Sequence, residues 1–576
     1  MIEKSFRVTP AVCFFRTDAH PERFFLKEIL SQEGYASIEC ISLDGTLPFS
    51  ELIAGQTLVL VSADRLLPSE CETLKKLLHS GGRLILFKPN PDDLSSLGMS
   101  FSEARHPTYG EASQVWLKSH DTVCTDIVQI ISFCDLYRLK AEKTLATVAP
   151  RREEISDYPA ISELAIEEGR VIIWRFDLAE SVLRLRQGDP LRASSGPLAG
   201  ADGVKCFKPG SLFFGLIDPT MHEVPQADVM TDILVRQIRE FTDDLTPLPR
   251  LWYYPDNAPA ITLLDGDSDI YDWDSYAKLV APALAAGIPY TLNLMEKHLK
   301  DLNRVELDTW IARGNDFELH VWPGSNSPDF DSMRSSVSEG QRLFFEKTGL
   351  YSVSTRHHTC VWPGYVESAS YLAENGFRLE TNYMPFRNTQ YGYFGSGRPA
   401  RFMTGSGEFI EISQQPTVLM DDPLSNNKSL LPAKSPEEVY EITTQIYSKS
   451  ANKYHTAICT CIHPLTGKAF GERSALQDAL LRAVIDGNKS HGMRALNLRA
   501  WSAFHEARRK IRMEYSDRTW KISSQDPITG ITVLMPERNG STVRQGVKWQ
   551  SSTLNYHAGE TKNIKRAASS GSHSPY

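Results

Sequence analysis

Three alternating acids close an apolar run in the middle of this 576-residue chain: Ala260-Ile-Thr-Leu-Leu-Asp-Gly-Asp-Ser-Asp-Ile-Tyr271, with Asp265, Asp267 and Asp269. Residues i and i+2 of a strand share a face, so Asp265 and Asp267 are expected to project into one small volume, and Gly266 lets another backbone or an ion come close. Ionised carboxylates so placed repel each other, and a bound cation or a shared proton relieves the repulsion. The same residues also suit a solvated turn that caps the next helix. Histidines end other apolar runs downstream. His320 follows Phe317-Glu-Leu, His357 and His358 follow Ser352-Val-Ser-Thr-Arg356, and His463 follows Thr456-Ala-Ile-Cys-Thr-Cys-Ile462. Parallel strands that brought these to one rim would form an Asp/His/His centre with positions open to water, the pattern of a catalytic divalent metal.

The elements that must position these residues are legible as α/β alternation. In the first part, Ala11–Phe15, Thr57–Ser62 and Arg83–Phe87 read as strands. Pro21–Ser31 and Ser69–His79 read as helices, the second capped by Ser69. This βαβα order implies a doubly wound parallel sheet. Residues 107–159 read as a β insertion, Gly169–Leu178 and Ser211–Ile217 as further strands, and Gln226–Thr242 as a helix. Thr246-Pro-Leu-Pro249 breaks the pattern, which sets a first domain at 1–249. A second unit, 250–513, has strand-like runs at Ala260–Leu264, Tyr290–Leu294, Phe317–Trp322 and Thr456–Ile462. Its expected helices are Trp273–Ala286, Asp331–Thr348, Tyr365–Asn375, Pro436–Ser448 and Leu498–Met513, which suits a distorted (β/α) barrel. A small β-rich appendage is expected at 514–566 and a disordered Ser/Gly-rich tail at 567–576.

Composition narrows the partners. A net charge of −9 gives no electrostatic footprint for nucleic acid, so a small molecule or neutral glycan is expected instead. No apolar stretch reaches the roughly 20 residues of a membrane span, and the first residues lack a signal-peptide core, so a cytoplasmic location is expected. The nine cysteines are scattered and odd in number, which fits reduced thiols. Cys459 and Cys461 lack a second Cys pair and read as two residues on one strand face. The sequence leaves the oligomeric state open.

The second unit resembles the polysaccharide deacetylase-like metal hydrolases over Pro259–Arg509, in ordered motifs rather than overall identity. Thr262-Leu-Leu-Asp-Gly-Asp267 is similar to that family's first motif, which implies Asp265 as general base and Asp267 as metal ligand. Glu318-Leu-His320 is similar to the second, which implies His320 as ligand. The family's usual second histidine, four residues on, is Gly324 here. Arg356-His-His358 with Trp362-Pro-Gly364 resembles a variant that supplies the imidazole from this segment, so His358 is the implied ligand, with His357 its rival. Arg356 would orient Asp265. Ile462-His463 matches the last motif and implies His463 as general acid, oriented by Asp421 or Asp422. Trp322, Trp362 and Tyr383 are the implied substrate-binding aromatics. The implied cofactor is a divalent metal, zinc first, with cobalt, nickel or manganese as alternatives. The implied reaction removes an N- or O-acetyl group from a carbohydrate or other acylated small molecule. The segment His491-Gly492, Arg499-Ala-Trp501 and Arg508-Arg509 resembles the family's closing helix and reads as packing and surface charge.

The first part is more loosely similar to the class I glutamine amidotransferase-like fold at Pro68–Phe87 and Gly169–Leu178. It has no Gly-x-Cys-x-Gly, and Cys71 falls inside an expected helix, which implies a noncatalytic relative. Arg16, Asp18, Asp177 and the run Arg184–Asp189 read as solvated surface, with a groove or interface as the alternative. Two rival functions remain at this level. One is a noncatalytic glycan-binding or scaffold protein on the same fold, and the other a glycoside hydrolase with Asp265 and another acid as its pair.

Overall fold

The computed structural model describes residues 10–16, 20–43, 49–54, 56–102, 106–109, 115–154, 156–194, 196–199, 205–384, 389–425, 431–517, 519–537 and 540–564. The expected tail at 567–576 and Asp18 lie outside them. The chain is an α/β protein built on two large sheets, one of them curled.

In the first sheet, Glu39–Ser42, Ala11–Phe15, Leu58–Ser62, Arg83–Phe87 and Gly169–Trp174 run parallel in that spatial order. An antiparallel meander follows through Pro159–Ile166, Lys143–Ala149, Val115–Ser119 and Ile127–Ile130. The central parallel strands Ala11–Phe15, Leu58–Ser62 and Arg83–Phe87 are buried along their length, with an apolar cluster on each face. The helix at Pro68–His79 starts one residue earlier than expected. Pro68 takes its first turn, and Leu67, not Ser69, is the cap, with its N–H donating to Glu70 Oε2 at 2.7 Å. Ser211–Ile217 is not a strand. Pro209 opens a 3₁₀ turn over Pro209–Phe213, and Gly215 follows in a left-handed conformation.

The second sheet positions the chemistry. Its spatial order is Ala400–Met403, Phe409–Gln414, Leu379–Glu380, Ser354–Thr355, Asp316–His320, Tyr290–Met295, Ile261–Asp267, Ala457–Cys461 and Thr417–Met420, with Arg494–Leu496 also paired to Ile261–Asp267. All these pairs are parallel except the first. The sheet curls without closing by a ladder among the described residues. Single bonds instead join its last strand to the segment that follows Leu379–Glu380: Thr417 N–H donates to Tyr383 O at 2.8 Å, and Thr417 Oγ1 to Thr381 O at 2.8 Å. Outer helices include Trp273–Ala285, with Asp272 and Ser275 forming a capping box, and Phe330–Thr348, capped by Asp329 and ended by left-handed Gly349. The helix Gly467–Ser490, which the sequence pattern does not announce, packs along Pro436–Lys449.

The last strands form two small sheets of three and four strands, expected as an appendage at 514–566. The expected helix Leu498–Met513 stops at Arg509, and Arg512–Ser516 is a strand. Ile528–Pro536 pairs with Arg250–Leu251, where the two sheets meet. One continuous core includes Leu30, Val235, Trp252, Ile261, Trp501 and Trp549, drawn from all parts of the chain. A buried ionic network crosses the same junction. Arg398 meets Asp232 at 2.8 Å and Glu33 at 3.2 Å, and Arg250 donates to Gln545 Oε1 at 2.6 Å. Among the described residues no helix is long and apolar enough to cross a membrane.

Candidate active site

Register sets the depth of every polar group in the curled sheet. Asp265 pairs with Cys461, Asp267 with Asn293 and through it Glu318, and Met295 with His320. The strand Ile261–Asp267 continues in line beyond its formal end, because Ser268 N–H donates to Asn293 O at 3.0 Å and Ser268 Oγ accepts from Met295 N–H at 2.9 Å. Asp265, Asp267 and Asp269 therefore share one face at three successive levels, each about 6.6 Å above the last. Asp269 is the acid level with His320. Asp267 lies one level lower, beside His463, which stands two residues beyond Cys461.

Measured contacts follow this ladder. Asp269 Oδ1 lies 3.2 Å from His320 Nε2 and 3.0 Å from His358 Nδ1, and these two nitrogens are 3.3 Å apart. The acid nearest both His320 Nε2 and His358 Nδ1 is Asp269 rather than the expected Asp267, whose Oδ1 lies 3.7 Å from His320 Nδ1. His320 Nδ1–H donates to Arg356 O at 2.7 Å, so a neutral His320 presents a lone pair at Nε2. A lone pair facing an anionic oxygen at 3.2 Å needs a proton or a cation between them. Donor atoms about 2.0–2.1 Å from a tetrahedral ion stand about 3.3 Å apart, so this triangle has the donor types and the size that a zinc-like dication requires. Of the three, Asp269 also lines a recess that it shares with Asp267, Asp422 and His463. Asp269 is held well below the usual carboxylate range: burial opposes its charge, but His320 and His358 outweigh it.

Of the two candidate histidines, His358 is the one that joins the triangle. Alternation along the extended segment puts Arg356 and His358 inward and His357 on the opposite side. There His357 Nδ1 bonds Val361 O at 2.8 Å and its ring stacks on Trp362, while burial lowers it to about 4. Gly324 is left-handed and exposed, and a Cβ there would meet nothing within 4 Å.

Arg356 threads the interior of the curl. Its guanidinium donates to Asp265 Oδ2 at 2.8 Å, Asp267 Oδ1 at 3.1 Å, Thr417 Oγ1 at 2.9 Å and Thr381 O at 3.2 Å. It thus contacts both Asp265, the acid it was expected to meet, and Asp267. Asp265 is completely buried and does not line the recess. Burial, resisted by Arg356, raises it to about 6. Asp267 does line the recess and is held below its ordinary value: burial opposes, while His320, Arg356 and His463 prevail. Its Oδ1 also accepts from Asn293 Nδ2 at 2.9 Å, which leaves Oδ2 facing His463 Nε2 at 3.7 Å.

On the opposite wall, His463 Nδ1–H donates to Asp421 Oδ1 at 2.7 Å, and its backbone N–H to Asp421 Oδ2 at 3.1 Å. Gln477 donates to the same carboxylate. Between the two candidate orienting acids, Asp421 makes the contact, whereas Asp422 lines the recess. Burial disfavours the imidazolium, but Asp421, Asp422 and Asp267 overcome it and push His463 up to about 10. Cys459 and Cys461 face the same interior, Cys459 Sγ 4.0 Å from Arg356 and Cys461 near Asp267 and His463.

Two of the three expected substrate aromatics are in the core. Trp362 and Tyr383 are buried among Phe402, Phe213 and Phe394. They support the His357 side of the loop rather than a ligand. Trp322 is half-buried against His358, ring centroids 4.6 Å apart, and remains placed to meet a ligand. Sequence reasoning assigned no role to Asp269, Asn293, Gln477 or Lys208. The alternation of acids was the available signal for Asp269, and Lys208 had none.

No family model matches the chain, and no curated protein matches it. Among solved structures, a carbohydrate deacetylase named Agd3 is 10% identical, with 96% of this chain and 98% of that chain covered and a TM-score of 0.39. A family 4 carbohydrate esterase from Streptomyces lividans, in complex with acetate, is 11% identical over 42% of this chain and 93% of that one, with a TM-score of 0.26. A β-galactosidase from Bacillus circulans sp. alkalophilus is 11% identical over 31% and 30%, with a TM-score of 0.24. At these scores the likenesses carry no step of the reasoning that follows.

Proposed function

We propose that this protein is a divalent-metal-dependent hydrolase that removes an acyl group, N- or O-acetyl, from a carbohydrate-like substrate. The observation that carries the reading is the triangle of Asp269 Oδ1, His320 Nε2 and His358 Nδ1 at 3.0–3.3 Å, set above a buried acid–base pair. These three residues would hold the ion. When bound, the ion supplies Lewis acidity for water and for a carbonyl oxygen.

The protein's own groups do the proton work. Asp267, pinned through Oδ1 by Arg356 and Asn293, takes the proton of the attacking water at Oδ2. His463 gives the proton of Nε2 to the leaving nitrogen or oxygen, and Asp421 holds the ring by Nδ1–H so that Nε2 points inward. The base is thus Asp267 rather than Asp265, whose burial behind Arg356 supports a positioning role. The same burial weighs against a glycoside hydrolase that would need Asp265 beside a sugar. We read the first unit as a noncatalytic amidotransferase-like relative, supported by Cys71 lying buried inside the helix Pro68–His79.

Metal analysis of the purified protein, paired with hydrolysis of acetylated sugars, tests this. One bound dication per chain, with chelation abolishing acetate release, is expected. A protein that binds no dication, or keeps full activity in chelator, contradicts it.

A further inference from the structure

Two thiols of the first sheet stand together on neighbouring strands, far in the fold from the acids and histidines described above. Of the nine cysteines, Cys40 alone is not buried. It sits on Glu39–Ser42, the edge strand, and the parallel ladder sets it directly opposite Cys13 on Ala11–Phe15. Both side chains take the same face. Cys13 belongs to the core on one side of the sheet and Cys40 packs against that core, whereas Val12, Phe14 and Ile41 belong to the other side. A hydrogen bond with Cys40, together with burial, pushes the Cys13 thiol well up, so Cys13 is held protonated.

Strand spacing says what such a pair can do. Neighbouring strands lie about 4.7–4.9 Å apart, inside the Cα separation of about 4.4–6.8 Å that a disulfide spans. The Cβ atoms of directly opposed residues stand about as far apart as the strands, roughly 1 Å beyond the disulfide mean of about 3.8 Å. Closing the bond therefore draws the edge strand inward, and a bond closed against such strain is of the labile, reducible kind.

We infer that Cys13 and Cys40 form a reversible thiol–disulfide centre that is oxidised by small-molecule disulfides of the glutathione type. The accessible thiol reacts first. Cys40, as thiolate, attacks one sulfur of the small disulfide; that S–S bond breaks, one half joins Cys40, and the other half leaves and takes up a proton. Cys13 Sγ then attacks Cys40 Sγ and gives its proton to the second half as it departs. Two protein thiols are oxidised and one small disulfide is reduced to two thiols. The product ties the edge strand covalently to its neighbour.

The test treats the native full chain with glutathione disulfide, blocks remaining thiols with N-ethylmaleimide and analyses unreduced peptides by mass spectrometry. The wild type is expected to yield a linked Cys13–Cys40 peptide pair, to release two glutathione molecules per chain and to regain both thiols in excess reduced glutathione. Cys13→Ser should release one and keep the other on Cys40 as a mixed disulfide, and Cys40→Ser should release none, because the remaining cysteines are buried. The wild-type outcomes decide the matter even where a serine variant fails to fold. A wild type that stops with glutathione on Cys40, links Cys40 to another cysteine, or reacts only when unfolded overturns the inference. So does a Cys13–Cys40 link that excess reduced glutathione leaves intact.

Discussion

His320 and Arg356 are joined by one hydrogen bond, from the ring Nδ1–H to the Arg356 carbonyl at 2.7 Å. The same residue that holds the ring of His320 thus clamps, through its side chain, both Asp265 and Asp267. The proposed metal triangle and the proposed proton-transfer pair are coupled through this one residue.

Removing the clamp should therefore cost both stability and chemistry. Arg356→Met leaves two buried carboxylates without their shared cation, and breaking a buried pair in this way costs about 3–5 kcal/mol. Arg356→Lys should recover little, because an ammonium lacks the planar fork that reaches both acids and Thr417. Denaturant unfolding monitored beside acetate release checks this. Wild-type-like midpoints for both variants would contradict the clamp.

His463 provides a pH signature. Its folded-state value of about 10 lies above the ordinary imidazole value of about 6.5, so it contributes stability that is complete below about pH 6.5 and lost as pH rises through 10. His463→Gln should flatten the stability profile between those limits. As the proposed proton donor, His463 also sets the alkaline limb of kcat/KM, and Asp421→Asn should move that limb to lower pH. A limb that stays in place in Asp421→Asn excludes His463 as the donor.

Gly266 is a packing requirement rather than a route for an ion. A Cβ there would stand 2.0 Å from Tyr290 Oη and 2.2 Å from Ile462 O, and the Tyr290 hydroxyl donates to that carbonyl at 2.7 Å. Gly266→Ala should destabilise by at least the roughly 1–3 kcal/mol of an overpacked core and displace the His463 strand. Thermal unfolding that shifts by less than a degree or two would show that the strands can separate without cost.

Much of this arrangement was legible because strand periodicity is a strong local signal. The runs ending at Asp267, His320 and Cys461 are strands, and the acids and histidines do sit at their ends. What local pattern cannot express is register between strands. The ladder step from Asp267 to Asn293 to Glu318 sets Asp267 one level below His320 and leaves Asp269 level with it. Long-range contacts were equally hidden: Lys208 comes to the recess beside Phe207, whose backbone is bonded to residues 326 and 362. Trp362 and Tyr383 misled because large aromatics near a site are as often its supporting core as its lining.

Asp267 and Asp269 are separated by one residue and assigned opposite work, so their metal stoichiometries test the account most directly. Dialysed Asp269→Ala should lose the dication, while Asp267→Ala should keep close to one per chain and lose turnover by about 10²–10⁴-fold. Loss of the ion in Asp267→Ala with retention in Asp269→Ala would contradict the assignment.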